Sequence, residues 1–119
     1  MTARASRAAL ALVALALASC GYKTLDEATC PPAGTTLTYA NFGQQFFSGY
    51  CNSCHSAASS DRQGAPDNYV FATRLQIAEH KDRIFARSAG SNDSMPPGPN
   101  DPPIEERDKL SEWLVCGAP

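Results

Sequence analysis

The pentapeptide Cys51-Asn52-Ser53-Cys54-His55 constrains this chain more than any other stretch. Two thiols three residues apart can meet both vinyl groups of one porphyrin, and the histidine that follows brings an imidazole to the iron. The C-x-x-C-H spacing therefore reads as a site of covalent c-type haem attachment. A fold built on it has to enclose a large apolar plate. The competing uses of two such thiols are a thioredoxin-like redox pair and half of a zinc site; a chance occurrence is the third alternative. No strand-helix frame surrounds the pair, and no second C-x-x-C completes a metal cage, so haem attachment is the preferred reading.

The opening residues point to export. Arg4 and Arg7 form a positive start, and Ala8 to Ala18 is an apolar run too short to span a bilayer as a mature helix, so residues 1–19 read as a signal peptide. Leu17-Ala18-Ser19-Cys20 resembles the bacterial lipobox, in which the cysteine is lipidated and becomes the first mature residue. Several acyl chains on Cys20 bury far more methylenes than the single chain that binds membranes only marginally. A periplasm-facing, lipid-anchored position in a bacterial cell envelope is expected. Gly21 and Tyr22 lack the aspartate that retains some lipoproteins at the inner membrane, which favours the outer membrane. The alternative is a plain signal peptide with Cys20 as a free thiol.

With 119 residues there is room for one domain. Beyond residue 19 the chain holds eight basic and twelve acidic side chains and no basic run. That balance argues against nucleic acid as a partner and suits docking to a basic patch on a protein. Of five cysteines, Cys20 is assigned to lipid and Cys51 with Cys54 to haem. Cys30 and Cys116 are left in an oxidising compartment and are expected to pair. A cross-link closing so long a loop is worth roughly 4 to 5 kcal/mol on the chain-entropy estimate, before strain.

Residues 20–37 contain Pro31, Pro32 and Gly34, show no helical or strand period, and read as a tether to a domain over 38–119. Thr38 can cap a helix from Tyr39 to Gly49, whose apolar face carries Tyr39, Phe42, Gly43, Phe46 and Phe47. Gly43 costs that helix about 1 kcal/mol relative to alanine unless something packs tightly against it. Residues 56–68 read as a loop. Thr73 to Ser88 is helical, with Thr73 and Gln76 in capping-box spacing and Leu75, Ile77, Ile84 and Phe85 as apolar positions; one helix and two helices broken near Glu79 to Lys81 both fit. Asp101-Pro102-Pro103 starts a last helix with Asp101 as cap. Leu110, Trp113 and Leu114 share its face, and Gly117 and Pro119 end it after Cys116.

These motifs together resemble the class I cytochromes c. The Gly43-x-x-x-Phe47-x-x-x-Cys51 spacing matches that family's first helix, and Leu110 and Trp113 fall where it places an aliphatic and an aromatic residue on its last. The likeness runs from Tyr39 to Cys116. It implies a small all-α fold in which N- and C-terminal helices cross beside one covalent haem, with Gly43 permitting the close contact and Cys30 brought near Cys116. It also implies that the carbonyl of Pro66 holds the second imidazole nitrogen of His55, although Pro66 can equally be a simple turn residue. Met95, in the proline-stiffened stretch Ser94-Met95-Pro96-Pro97-Gly98-Pro99, lies where the family carries its axial methionine. His80 is the rival sixth ligand. It would give a bis-His iron of lower potential, but it sits in the charged run Glu79 to Arg83 that marks a solvated helix face. A vacant sixth position is the third possibility.

The resemblance thus implies a membrane-anchored, mono-haem carrier of single electrons between redox proteins, by small transient contacts, and not an enzyme. Two other readings stand beside it. One is a haem peroxidase or small-molecule sensor with a displaceable Met95, for which the sequence offers no distal acid-base pair. The other is a haem-free lipoprotein whose four remaining cysteines form two disulfides.

Overall fold

A computed structural model describes residues 21–119; the signal stretch and Cys20 lie outside the described residues. The described chain is all-α, with no strand. The first helical stretch begins as a wide π-helical turn, Tyr39–Gly43, and continues into helix α1, Gln44–Tyr50. Thr38 caps it as its sequence suggests. Its hydroxyl accepts the Asn41 N–H at 3.1 Å, and Asn41 Oδ1 accepts the Thr38 N–H at 2.7 Å. The stretch ends one residue later than expected and opens with π rather than α geometry, the Gly43 N–H reaching back to the Thr38 carbonyl at 3.1 Å. Phe42, Gly43, Phe46 and Phe47 are buried, which is the face expected.

The middle region is two helices. α2 spans Arg74–Glu79 and α3 spans Lys81–Ser88, with the break at His80. The Thr73–Gln76 capping box is formed: the Thr73 hydroxyl accepts the Gln76 N–H, and Gln76 Oε1 accepts the N–H groups of Ala72 and Thr73. Ile77, Ile84 and Phe85 are buried, but Leu75 is 69% exposed. Helix α2 is too short to bury more than one side, and Leu75 lies roughly 200° around the helix from Ile77.

Helix α4 spans Ile104–Val115, with Pro103 as its capping residue. The expectation that Asp101 caps it is corrected. Of the two N–H groups a capping carboxylate would accept, two and three residues on, Pro103 has none to give, and the cap position itself falls on Pro103, two residues past Asp101. Asp101 instead lies 4.0 Å from the guanidinium of Arg107. Gly117, at φ +93°, ends the helix in the left-handed conformation that glycine tolerates.

The core joins these pieces through Trp113, which is fully buried. Its ring meets Phe42 edge-on at 6.0 Å between centroids and tilts against Phe47 at 6.2 Å. A β-carbon on Gly43 would stand 2.7 Å from Trp113 Cη2, so only glycine admits the ring at that depth. Each large apolar side chain buried in this way contributes roughly 1.5 to 3 kcal/mol of transfer free energy.

Residues 21–37 are not a loose tether. Leu25–Glu27 form a 3-10 turn, and Leu25, Ala28 and Leu37 pack on the core. Asn92 Nδ2 donates to the Lys23 carbonyl at 3.0 Å, and the Thr35 hydroxyl donates to Glu112 at 2.6 Å. Cys30 and Cys116 are paired across 86 residues, their Cα atoms 4.9 Å apart. Three apolar residues without a regular period leave no helical signature, yet they suffice to hold a segment that is also cross-linked. No described helix is long and apolar enough to cross a membrane.

Candidate functional site

Helix α1 ends at Tyr50, and the chain turns tightly through the C-x-x-C-H stretch. The Cys54 and His55 N–H groups both return to the Cys51 carbonyl, at 3.2 and 2.9 Å. This turn puts Cys51, Cys54 and His55 on the wall of one cavity of about 640 Å³, a volume in the range of cofactor and ligand sites. Met95 lines the same cavity, as do Phe47, Phe71 and Ile84. Phe85, the neighbour of Ile84 on α3, is fully buried and does not line the cavity. Both cavity cysteines are free thiols. Burial pushes the Cys51 thiol up to about 12, against the opposing pull of the Arg107 charge and with a smaller upward push from Cys54. Cys51 is therefore a protonated, weakly nucleophilic thiol in the folded, haem-free chain.

The imidazole of His55 is held on two sides. Its ring stacks on Phe71, with centroids 4.5 Å apart and planes inclined by 22°. Its Nδ1 lies 2.9 Å from the carbonyl oxygen of Tyr69. A carbonyl can only accept, so Nδ1 carries the proton and the lone pair of Nε2 remains free to bind a metal. The assignment of this role to Pro66 is therefore corrected. The Pro66 carbonyl accepts instead from the Tyr69 N–H at 3.0 Å and from Arg62 Nη2 at 2.7 Å. Residues 66–69 form a turn closed by the Tyr69 N–H on the Pro66 carbonyl, and the Tyr69 carbonyl, three residues on, is the one that meets the imidazole. Arg62 Nη2 also reaches the Tyr69 carbonyl, at 3.2 Å, so that one oxygen serves both the histidine and a guanidinium.

His80 lies outside the cavity. Its ring stacks on Tyr69 at 4.5 Å and its Nε2 faces the Asn68 carbonyl at 2.9 Å. Of the two candidates for a sixth ligand, only Met95 lines the cavity. The cavity's charged side chains are Arg62, Arg83 and Arg87, a positive lining within an acidic chain. Among the described residues, no three or more His, Cys, Asp or Glu side chains group to hold a metal ion.

Sequence reasoning missed the Tyr69 carbonyl and Arg107. The first has no signal, because any residue offers a carbonyl. The second has one: Arg107, Leu110 and Leu114 fall at i, i+3 and i+7, so a charged residue stands on the apolar face of α4. Comparison with protein families, with curated proteins and with solved structures finds no match to this chain.

Proposed function

We propose that the cavity holds one covalent c-type haem and that the chain is a small class I cytochrome c, a one-electron carrier anchored to a bacterial envelope membrane through Cys20. The observation that carries this reading is the donor set gathered in a single cavity: two free thiols, a histidine whose Nδ1–H is already engaged, and a thioether. That set fits a haem. Cys51 and Cys54 would form the thioether links, His55 would ligate through Nε2, and Met95 would take the sixth position. The haem would supply a one-electron iron couple.

The residues of the chain account for the rest of the task. Phe71 and the Tyr69 carbonyl fix the plane and tautomer of His55, so that it need not reorient when the iron changes charge. Phe47, Phe71 and Ile84 give the cavity an apolar wall, and an apolar wall with a methionine ligand would favour the ferrous state. Arg62, Arg83 and Arg87 provide positive charge for a cofactor that bears carboxylates. With His55 and Met95 both committed, a haem would keep no position open for peroxide or a diatomic gas, as suits a carrier rather than a peroxidase or sensor. Redox proteins would be met through small, transient contacts.

Met95→Ala tests the assignment. The oxidised wild-type protein is expected to show the weak far-red sulfur-to-iron absorption, and its ferrous form to bind carbon monoxide slowly at neutral pH. In the variant the band disappears, carbon monoxide binds readily and the potential falls. A band that survives the substitution, or rapid carbon monoxide binding by the wild type, counts against the reading.

A further inference from the structure

The stretch that carries Met95 cannot hold itself together. Pro96, Pro97, Pro99, Pro102 and Pro103 have no N–H to donate, and between Met95 and α4 no main-chain N–H makes a main-chain hydrogen bond. Its carbonyls therefore need donors from elsewhere. Two of them, those of Met95 and Pro102, find one in Arg107, a side chain on the first turn of α4 that is only 4% exposed.

Arg107 Nε donates to the Pro102 carbonyl at 3.2 Å. Its Nη1 lies within donating distance of the carbonyls of Ser88 at 2.9 Å, Asn92 at 3.0 Å and Met95 at 2.9 Å. One guanidinium thus ties the end of α3, two points of the loop and the approach to α4. The main chain of Arg107 adds a further tie, its carbonyl accepting the Gly90 N–H at 2.9 Å. Met95 is consequently fixed through both its backbone groups: its N–H donates to the Arg87 carbonyl at 2.9 Å, and its carbonyl accepts from Arg107. The one carboxylate nearby, Asp101, is 4.0 Å away and more than half exposed, so carbonyl dipoles provide most of the compensation for the buried charge.

We infer that Arg107 is a positioning residue for the sixth ligand: it holds the Met95 loop against the cavity and so sets how readily the thioether yields its place to another ligand. This rests on Met95 being that ligand, as proposed above. A flat fork with five donors suits the task, whereas the point charge of a lysine can serve only part of it.

The test uses the full, haem-loaded chain with Arg107→Met and Arg107→Lys, and exogenous imidazole as the probe of the sixth position in the oxidised protein. Leu110→Ala, which truncates a buried apolar side chain one turn further along the same helix that can make no hydrogen bond to the loop, serves as a control for loss of stability alone. Hydrogen bonds from a charged donor are strong enough that Arg107→Met should bind imidazole about tenfold tighter or more and weaken the far-red band. Arg107→Lys should be intermediate, and Leu110→Ala should bind imidazole as the wild type does. Imidazole affinity in Arg107→Met within twofold of the wild type, or an equal rise in Leu110→Ala, overturns the inference. Should Arg107→Met fail to accumulate, Arg107→Lys decides: a rise of threefold or more supports the role and an unchanged affinity overturns it. A wild type without the far-red band would instead remove Met95 itself, an outcome distinct from both.

Discussion

At the scale of single residues, two positions make claims that can be measured without knowing the partner. Gly43 is glycine because the Trp113 ring occupies the place of its β-carbon. Gly43→Ala forces that buried ring or the π-helical turn to shift. It should cost about 1 to 3 kcal/mol, as overpacked cores do, seen as a lower urea midpoint with an unchanged slope. Cys51 makes a claim about pH. Burial raises its thiol from 9.0 to about 12, so between those values the unfolded chain has lost a proton that the folded, haem-free chain keeps. The stabilisation is complete below about pH 9 and is lost as pH climbs towards 12, because the folded state is then the one that binds more protons. The urea midpoint of the haem-free chain should fall across that window, and Cys51→Ala should remove part of the fall. A slope identical in the two chains would mean that the thiol is not shielded.

At the scale of elements, the pairing of Cys30 with Cys116 fastens the segment before α1 to the end of α4. Cys30→Ser with Cys116→Ser should lose about 2 to 5 kcal/mol. It should also let a protease cut within residues 21–37, while the wild type is cut there far more slowly. Equal cutting in both proteins would show that the apolar contacts of Leu25, Ala28 and Leu37 hold the segment unaided. The helices themselves were legible in the sequence because their signals are local. Thr38 and Thr73 announce their own caps, Gly117 announces a stop, and the stripe of Phe42, Phe46 and Phe47 has the helical period. What was not legible depends on contacts distant along the chain. The docking of residues 21–37 runs through contacts with α3, with Asn92 beyond it and with α4, and through the cysteine pair, all distant in sequence. The hold on His55 fell to Tyr69, while the Pro66 carbonyl accepts from both the Tyr69 N–H and Arg62. The cap position of α4 fell on Pro103 rather than Asp101. The π turn at Tyr39–Gly43 keeps the same buried face as an α-helix, so the pattern could not distinguish the two.

At the scale of the whole molecule, an all-α framework of about one hundred residues carries, beside its aromatic core, a cavity of about 640 Å³. So small a chain has little core of its own. A cofactor bound through two covalent links and two ligands would add to the packing that Trp113 and the phenylalanines provide, and would stabilise the fold in which it sits. The account therefore ties fold and function to one event, the attachment of haem at Cys51 and Cys54. The measurement that tests it most directly is a pyridine haemochrome spectrum, with the intact mass, of the protein made in cells that carry haem-attachment machinery. The account predicts one haem per chain with both vinyl groups saturated, resistant to acid-acetone extraction, and none on a chain with Cys51→Ala and Cys54→Ala. A wild-type chain that is made, folded and exported under those conditions yet carries no covalent haem would contradict it.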